Sequence, residues 1–395
     1  MQNNLHSIYN ELCLCSVFRG VMQKPLFKLF EDYCLTPAEN ASEKRKAYAA
    51  FVAHIYEEGG SLTDLVVRLV HEDENVYVKA IAAGKTPFEK IGEAAAKELA
   101  CFACFAGLTR AQFAEDLGLQ ESLLPDFSSA VLDIAGVYEQ RLRDIGKYGY
   151  GIFSSRCMFR LTDEKEIEPI VSADKTEMSQ FIGYQAERAK VVENTRAFLE
   201  GRPAANVLLC GDAGTGKSST VKAIANEFFS EGLRLIELRK DQLRFLPSVM
   251  AKINGNPLKF IIFIDDLSFN KNNDDFSMLK AALEGSASAT ADNAVIYATS
   301  NRRHIIKESF NDREGDDVHR NDSMQETLSL SERFGLTVLF SKPDKKLYLT
   351  IVKELAQRFG LQIEEKELEL RAEEFALRKG NRSARCAEQF INSLR

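Results

Sequence analysis

The residues best suited to chemistry lie in the stretch 205–220, which reads Ala-Asn-Val-Leu-Leu-Cys-Gly-Asp-Ala-Gly-Thr-Gly-Lys-Ser-Ser-Thr. Gly211, Gly216, Lys217 and Ser218 fill the fixed positions of the pattern G-x-x-x-x-G-K-[ST]. Glycines at these points let the backbone turn its N–H groups toward phosphate oxygens. A helix that begins at such a loop adds the positive end of its dipole. The pattern therefore predicts a phosphate-binding loop.

The segments on both sides of this loop support that interpretation. Asn206–Cys210 is apolar enough for a short buried strand, and Val221–Phe229 continues as an apolar helix. A strand, a glycine-rich loop and a helix in this order are the context that the motif requires. A glycine-rich turn that caps a helix and binds nothing is the alternative, and the flanking pattern disfavours it.

The motif assigns separate tasks to its polar residues. Lys217 is expected to reach the β- and γ-phosphates, while the Ser218 hydroxyl is expected to coordinate Mg²⁺. The residues expected to contact the nucleotide are Gly211, Asp212, Ala213, Gly214, Thr215, Gly216, Lys217, Ser218 and Ser219.

Two carboxylates follow the third predicted strand, Phe260–Ile264, which is uniformly apolar. An acidic side chain at the carboxyl end of a strand beside a phosphate loop is well placed to hold Mg²⁺. We assign that role to Asp265, and to Asp266 the orientation of the attacking water. Such a pair also occurs in solvated turns, but the phosphate loop favours the functional interpretation.

Three further side chains are candidates through their positions in the strand series. Asn301 follows a strand and could bond the γ-phosphate or the water, although asparagine after a strand is often a turn residue. Arg333 precedes the last strand, where it could stabilise phosphoryl transfer in a neighbouring subunit. Arg382 opens the last helix and could reach the nucleotide. Most exposed arginines only increase solubility, so the roles of Arg333 and Arg382 are assigned from their positions in the strand and helix series.

The composition restricts the class of protein. The chain has 395 residues, which predicts two or three domains, and 45% are hydrophobic. The net charge of −7 gives no overall basic signature of nucleic-acid binding. The first residues lack a secretory-signal pattern, and the longest apolar stretch, Leu99–Leu108, is too short to cross a bilayer. We expect a cytoplasmic protein that does not act at a membrane.

The cysteines do not indicate a metal centre. Cys101 and Cys104 form C-x-x-C within an apolar helical pattern, and no second such pair or histidine pair completes four ligands. Buried free thiols are the better interpretation.

The chain is expected to divide into a helical domain at 1–143, a linker at 144–176, an α/β nucleotide-binding domain at 177–343 and a helical lid at 344–395. Alternating strands and helices after Ala205 predict a parallel sheet covered on both faces. The predicted strands are Asn206–Cys210, Leu233–Leu238, Phe260–Ile264, Ala294–Ala298 and Leu336–Phe340. Phe276–Glu284 is expected to be helical and Asp312–Asp322 to be a loop.

With these residues assembled, the chain resembles an AAA+ ATPase over about residues 175–395. The phosphate loop is similar to Walker A, Phe260–Asp266 to Walker B, Asn301 to sensor 1, Arg333 to the arginine finger and Arg382 to sensor 2. Ile182 lies where such proteins contact adenine. The resemblance implies a P-loop α/β core with a parallel five-stranded sheet, a C-terminal helical lid and an all-α N-terminal domain. It also implies ATP and Mg²⁺ as ligands.

The strings Asp265–Phe269, Ala298–His304 and Ser329–Gly335 resemble more narrowly a bacterial AAA+ family known only as a domain of unknown function. The better-understood relatives of that family are replication initiators and helicase loaders. The AAA+ Walker B motif usually ends in Asp-Glu, whereas this one ends in Asp-Asp. The shorter carboxylate of Asp266 implies slow or partner-stimulated turnover, because small misplacements can cost roughly a hundredfold in rate.

Two functions remain open at this stage. The first is an ATPase that remodels, loads or switches a macromolecular partner, and it implies a homo-oligomer in the ATP state because an arginine finger acts on a neighbour. The second is a nucleotide-gated binding module with little hydrolysis. Phe245 is not followed by the glycine of a pore loop, so threading of polypeptide is disfavoured. A GTPase is discounted, since Asn270–Asn273 lacks the aspartate that would pair with guanine.

The partner could be a protein or a nucleic acid. Arg302, Arg303 and His304 form a small basic cluster that could touch a phosphate backbone, although a solvated turn is the simpler account.

Overall fold

The fold is taken from a computed structural model that describes residues 5–267, 279, 283, 291–301 and 333–395. The sequence predictions for Phe276–Glu284, Asn270–Asn273, Asp312–Asp322 and the Arg302–His304 cluster lie outside the described residues, apart from 279 and 283. The chain divides into two compact units. The first runs to Ser155 and includes Gly255–Pro257, and the second comprises Arg156–Asn254 and Leu258–Arg395.

The described part of the first unit is helical, as its apolar spacing predicts. Its helices are α1 (Leu5–Leu12), α2 (Pro25–Leu35), α3 (Ala41–Glu57), α4 (Leu62–His71), α5 (Val76–Ala82), α6 (Glu89–Ala106), α7 (Arg110–Leu117), α8 (Ile134–Arg143) and α9 (Ile145–Tyr148). Aromatic side chains fill much of the core, and Phe51, Phe105 and Phe113 are fully buried there. Helix α4 begins where Ser61 accepts a hydrogen bond from the Asp64 N–H, which satisfies one unpaired donor of its first turn.

The second unit is built on a seven-stranded sheet. Its strands are β1 (Met158–Leu161), β2 (Ile167–Pro169), β3 (Val207–Gly211), β4 (Leu233–Leu238), β5 (Lys259–Ile264), β6 (Ala294–Ser300) and β7 (Leu336–Phe340). The order across the sheet is β2-β1-β4-β5-β6-β3-β7. The five predicted strands lie side by side and are all parallel. The sheet therefore contains the expected five strands and two more.

The two additional strands lie in the segment interpreted as a linker. Strand β1 pairs parallel with β4 and antiparallel with β2. They have four and three residues, and the turn between them carries the charged run after Leu161. Strands this short show too little alternation of apolar and polar residues to be recognised in a sequence, and the charged residues between them favour a loop.

Helices cover the sheet and position the site. Helix α10 (Gln185–Leu199) precedes β3, α11 (Lys217–Glu227) follows it, and α12 (Leu246–Ile253) lies between β4 and β5. Strand β5 is apolar after its first residue, and every residue after Lys259 is buried, as expected for a central parallel strand. The carboxyl ends of β3, β5 and β6 meet at one edge of the sheet, and the polar residues that follow these strands are therefore neighbours.

The three last helices form a small cluster with its own apolar core. They are α13 (Lys345–Arg358), α14 (Glu365–Lys379) and α15 (Ala384–Ser393). Tyr348, Val352 and Phe390 are buried between them, and Ile182 packs against the same cluster. Ser383 caps α15 by accepting from the Cys386 N–H.

Candidate nucleotide-binding site

The phosphate loop connects β3 to α11, and its glycines meet specific geometric demands. At Gly211, where φ is +134°, a Cβ atom would collide with the backbone of Phe340 on the adjacent strand. Gly216 precedes the first turn of α11 with φ at +88°, in the left-handed region that favours glycine. The N-terminus of α11 consequently opens directly onto the loop.

Lys217 is 5% exposed and lies under the loop. Its Nζ donates to the carbonyl oxygens of Gly211 (3.0 Å) and Asp212 (2.8 Å) and to Asn301 Oδ1 (2.9 Å). Burial lowers the pKa of Lys217, and the nearby Asp212 carboxylate opposes that shift. The contact with Asn301 joins the loop to the end of β6.

Ser218 and Asp265 meet across the same edge. The Ser218 hydroxyl donates to Asp265 Oδ1 at 2.6 Å, so the first turn of α11 reaches the end of β5. These are hard oxygen donors of the kind that hold Mg²⁺, which is usually bound through one or two carboxylates together with substrate phosphates. No group of three or more His, Cys, Asp or Glu side chains suited to a metal occurs among the described residues. The residues present therefore fit Mg²⁺ bound with a nucleotide rather than in an all-protein cage.

Thr299 positions both acidic residues, and sequence reasoning missed it. This side chain is 2% exposed on β6, and its hydroxyl donates to Asp265 Oδ1 at 2.5 Å. The hydroxyl oxygen of Thr299 also accepts the Asp266 N–H at 2.9 Å. The presence of Thr299 in the apolar run Ala-Val-Ile-Tyr-Ala-Thr-Ser could have identified it. A hydroxyl buried in such a strand needs hydrogen-bond partners, and the carboxylates after the neighbouring strand can provide one.

Asp266 and Asn301 also come together. The Asn301 Nδ2 donates to Asp266 Oδ1 at 2.7 Å, while its Oδ1 accepts from Lys217. The backbone of Asp266 is left-handed, with φ at +53°, a conformation that aspartate tolerates better than most residues. Lys217, Asn301 and Asp266 therefore form a continuous hydrogen-bonded chain beside the phosphate loop.

A cavity of about 170 Å³ lies against the phosphate loop. Phe181, Ile182, Ile351 and Leu355 provide its apolar lining, and Gly214–Gly216 with Ser219 provide its loop side. Charged groups are added by Arg188, Arg385 and Glu388. Ile182 thus lines a cavity beside the loop, which is where the sequence predicts the base.

The two arginines near the start of α15 have different surroundings. Arg382 donates to Glu373 of α14 through Nε (3.0 Å) and Nη2 (2.9 Å). Those hydrogen bonds raise the pKa of Arg382 and lower that of Glu373. Arg385 instead lines the cavity, and its backbone N–H donates to the Gly214 carbonyl at 3.2 Å. Of these two arginines, Arg385 is therefore the one next to the phosphate loop.

Arg333 lies just before β7, the strand that pairs with β3 at the border of the sheet. The residues that directly precede it in the string Ser329–Gly335 are outside the described part of the chain. Its expected action on a neighbouring subunit stays a prediction.

Comparison with known families decides the classification. A family model described as "Protein of unknown function (DUF815)" matches residues 154–395. The chain belongs to this family. Residues 154–395 of this DUF815 member include the sheet, the phosphate loop and the three last helices. The relation to replication initiators and helicase loaders stays a prediction.

Solved structures with some likeness include the RuvB Holliday junction branch migration motor of Thermotoga maritima, at 15% identity and a TM-score of 0.33. Two single-residue variants of that RuvB match at 17% and 18% identity, each with a TM-score of 0.34. Each match covers 55% of this chain and 72% of the other. A likeness at this level says nothing about activity. No curated protein matches the DUF815 member by sequence, and none of its described helices is long and apolar enough to span a membrane.

Proposed function

We propose that this DUF815 member is an AAA+ ATPase that binds ATP with Mg²⁺ and hydrolyses it to remodel, load or switch a macromolecular partner. The hydrogen bond between Ser218 and Asp265 is the observation that carries the proposal. A loop hydroxyl and a strand-end carboxylate are the pair that holds Mg²⁺ in P-loop NTPases. When bound, Mg²⁺ would neutralise charge on the β- and γ-phosphate oxygens.

Each residue of the chain then has a task. The backbone N–H groups of Gly211–Ser219 receive the phosphates, and Lys217 gives a positive charge to the β- and γ-phosphates. Asp266 orients the attacking water and accepts a hydrogen bond from it, while Asn301 holds the Asp266 carboxylate in place. Ile182 and its apolar neighbours contact the base.

Arginines complete the proposed site. Arg333 acts on the nucleotide of a neighbouring subunit, which requires a homo-oligomer in the ATP state. The sequence suggests Arg382 as the arginine of the lid that reaches the nucleotide. We propose Arg385 for this role instead, because Arg382 is paired with Glu373. We propose a cytoplasmic protein whose partner is a protein or a nucleic acid.

A nucleotide-gated binding module with little hydrolysis is the second candidate, and Asp266 favours it. An aspartate carries its carboxylate about one C–C bond closer to its own backbone than the usual glutamate. Displacement of a catalytic group by that distance can cost roughly a hundredfold in rate. In this alternative the ATP-bound state recruits the partner, and hydrolysis only resets it.

The test combines ATP binding by calorimetry with steady-state phosphate release in Mg²⁺. Replacing Lys217 by Ala removes the buried charge at the phosphates, and we expect ATP affinity to fall by roughly a hundredfold and phosphate release to disappear. Lys366→Ala, at an exposed lysine on α14, is the matched control and should leave both unchanged. Normal ATP binding by the Lys217→Ala protein would contradict the proposal. Tight binding with negligible phosphate release, alone and with candidate partners, would favour the second candidate.

A further inference from the structure

Arg188 is a buried cation on α10 that neither the motifs nor the proposed mechanism uses. Its side chain is 6% exposed. The Nε donates to Thr220 Oγ1 at 3.2 Å, and Nη1 donates to the Gly183 carbonyl. The guanidinium lies 4.3 Å from the centre of the Phe181 ring and 5.8 Å from that of Tyr184. Both hydrogen-bond acceptors are uncharged.

The positive charge of Arg188 has no ion-pair partner in the described part of the chain, and its Nη2 atom has no hydrogen-bond partner there. The carboxylate of Glu187 acts on it electrostatically and Glu388 lines the same cavity, but neither forms an ion pair with the guanidinium. Burial lowers the pKa of Arg188 to about 10, so it stays protonated at neutral pH. Buried charges in proteins are normally paired, because an unpaired one carries a large desolvation cost. An anion in the adjoining cavity would therefore supply the ion pair that Arg188 does not form within the described chain.

The position of Nη2 identifies where that anion would bind. Arg188 lines the cavity beside the phosphate loop, and its Nη2 is 3.5 Å from the point where a Cβ of Gly216 would lie. Phe181 and Ile182, the proposed base contacts, line the same cavity, whereas Lys217 reaches toward Asn301 at the end of β6. The Nη2 atom thus lies next to the phosphate loop at Gly216, on the side of the loop where Phe181 also approaches it.

We propose that Arg188 is a nucleotide ligand that binds the α-phosphate, the phosphate next to the ribose. This inference rests on the proposed function, since it adds a contact to the same nucleotide. Thr220 supports it by fixing the guanidinium against the loop, because the Thr220 hydroxyl accepts from Nε and donates to the Gly216 carbonyl at 2.7 Å. Arg188 is preorganised by these contacts, so little rotamer entropy is lost on binding.

The competing explanation is that Arg188 only holds the segment before α10. Its bond to the Gly183 carbonyl and its stacking on Phe181 would then shape the base pocket without touching a phosphate. The two explanations predict different losses of affinity for ligands with and without an α-phosphate. An α-phosphate contact is absent for adenosine and present equally for ADP and ATP, whereas a pocket-shaping role affects all three.

The experiment measures ADP, ATP and adenosine binding to the full chain, together with the two α-phosphorothioate diastereomers of ADP. Arg188→Ala and Arg188→Gln should both weaken ADP and ATP alike by roughly tenfold or more, the size of a lost charge-assisted hydrogen bond. Adenosine binding should be unchanged, and the preference of the wild-type protein for one diastereomer should be reduced. Arg188→Lys, which keeps the charge, should retain more ADP affinity than Arg188→Gln.

Arg196→Ala is the matched control, at an exposed arginine on the same helix, and it should bind every ligand like the wild type. Wild-type ADP affinity in Arg188→Gln, or an equal loss for ADP and adenosine, would overturn the inference. If Arg188→Ala does not fold, the Gln and Lys variants decide the result. Failure of the wild-type chain to bind ADP and ATP at all would instead remove the proposed function.

Discussion

The two ends of the candidate site differ in how their side chains are held. At the strand end, Ser218 and Thr299 donate short hydrogen bonds to Asp265, and Asn301 donates one to Asp266, at the carboxyl ends of neighbouring parallel strands. At the helical end, Arg385 and Glu388 lie on α15 and Arg382 lies just before it, in a cluster of three helices with its own apolar core. Sheet topology therefore fixes the first end, whereas the second end depends on how the three last helices pack.

Replacing Thr299 should give the largest effect at the strand end. Thr299→Val is nearly isosteric but removes the hydroxyl that donates to Asp265 and accepts from the Asp266 N–H. We expect a loss of roughly a hundredfold in kcat, because both acidic residues lose a positioning bond. The concentration of Mg²⁺ needed for half-maximal phosphate release should also rise.

Thr299→Ser is the conservative rescue, since it keeps the hydroxyl and should recover most of the activity. A purely structural role for Thr299 would lower the melting temperature of the valine protein without changing its Mg²⁺ requirement. That result would mean that the strand end is less strictly organised than its hydrogen bonds indicate.

The helical end contains two neighbouring arginines, one of which serves as the control for the other. Arg385→Ala removes a cation that lines the cavity and should weaken ATP binding by roughly tenfold. Arg382→Ala breaks the pair with Glu373 and should change ATP affinity by less than about threefold, because Arg382 is directed to Glu373 and does not line the cavity. Calorimetric titration of both proteins with ATP measures the difference. The reverse order would restore Arg382 as the nucleotide-facing residue.

Substitution of Asp266 should change the rate of phosphate release least, and whether that rate rises or falls tests the role of its side-chain length. Asp266→Glu restores the usual length of this carboxylate, and we expect phosphate release to rise by about twofold to fivefold if that length limits the rate. The left-handed backbone at this position opposes the change, because glutamate tolerates that conformation less well than aspartate. Single-turnover hydrolysis measures the effect. An unchanged or lower rate would show that the side-chain length at 266 does not limit hydrolysis.

Most residues of the strand end could be predicted from the sequence. The spacing of Gly211, Gly216, Lys217 and Ser218 predicts the loop, and Asp265 and Asn301 follow apolar runs that form β5 and β6. Parallel strands bring their carboxyl ends to one edge of the sheet, so residues distant in sequence become neighbours once the strands are identified. The same reasoning missed Thr299, because the predicted strand ends at Ala298 whereas β6 continues to Ser300, and Asn301 was the polar residue selected from the segment that follows.

Other features had weak sequence signals. Strands β1 and β2 are too short to show alternation, and the charges between them favour a linker. The sheet therefore has seven strands in place of the five expected. Arg188 lies in an amphipathic helix whose charged residues are mostly exposed, and only its spacing from Val191 and Thr195 places it on the buried face.

Local spacing was enough to predict the strand, loop and helix around Lys217, the two carboxylates after β5 and the five central parallel strands, because each depends on neighbouring residues and on one general property of parallel sheets. The identity of the charged side chains around the cavity depends instead on tertiary packing. Arg188 and Arg385 lie on helices and Arg382 lies just before one, and the packing of those helices sets whether a guanidinium faces the phosphate loop or a neighbouring carboxylate. Such packing depends on contacts between residues far apart in the chain, which local spacing does not encode.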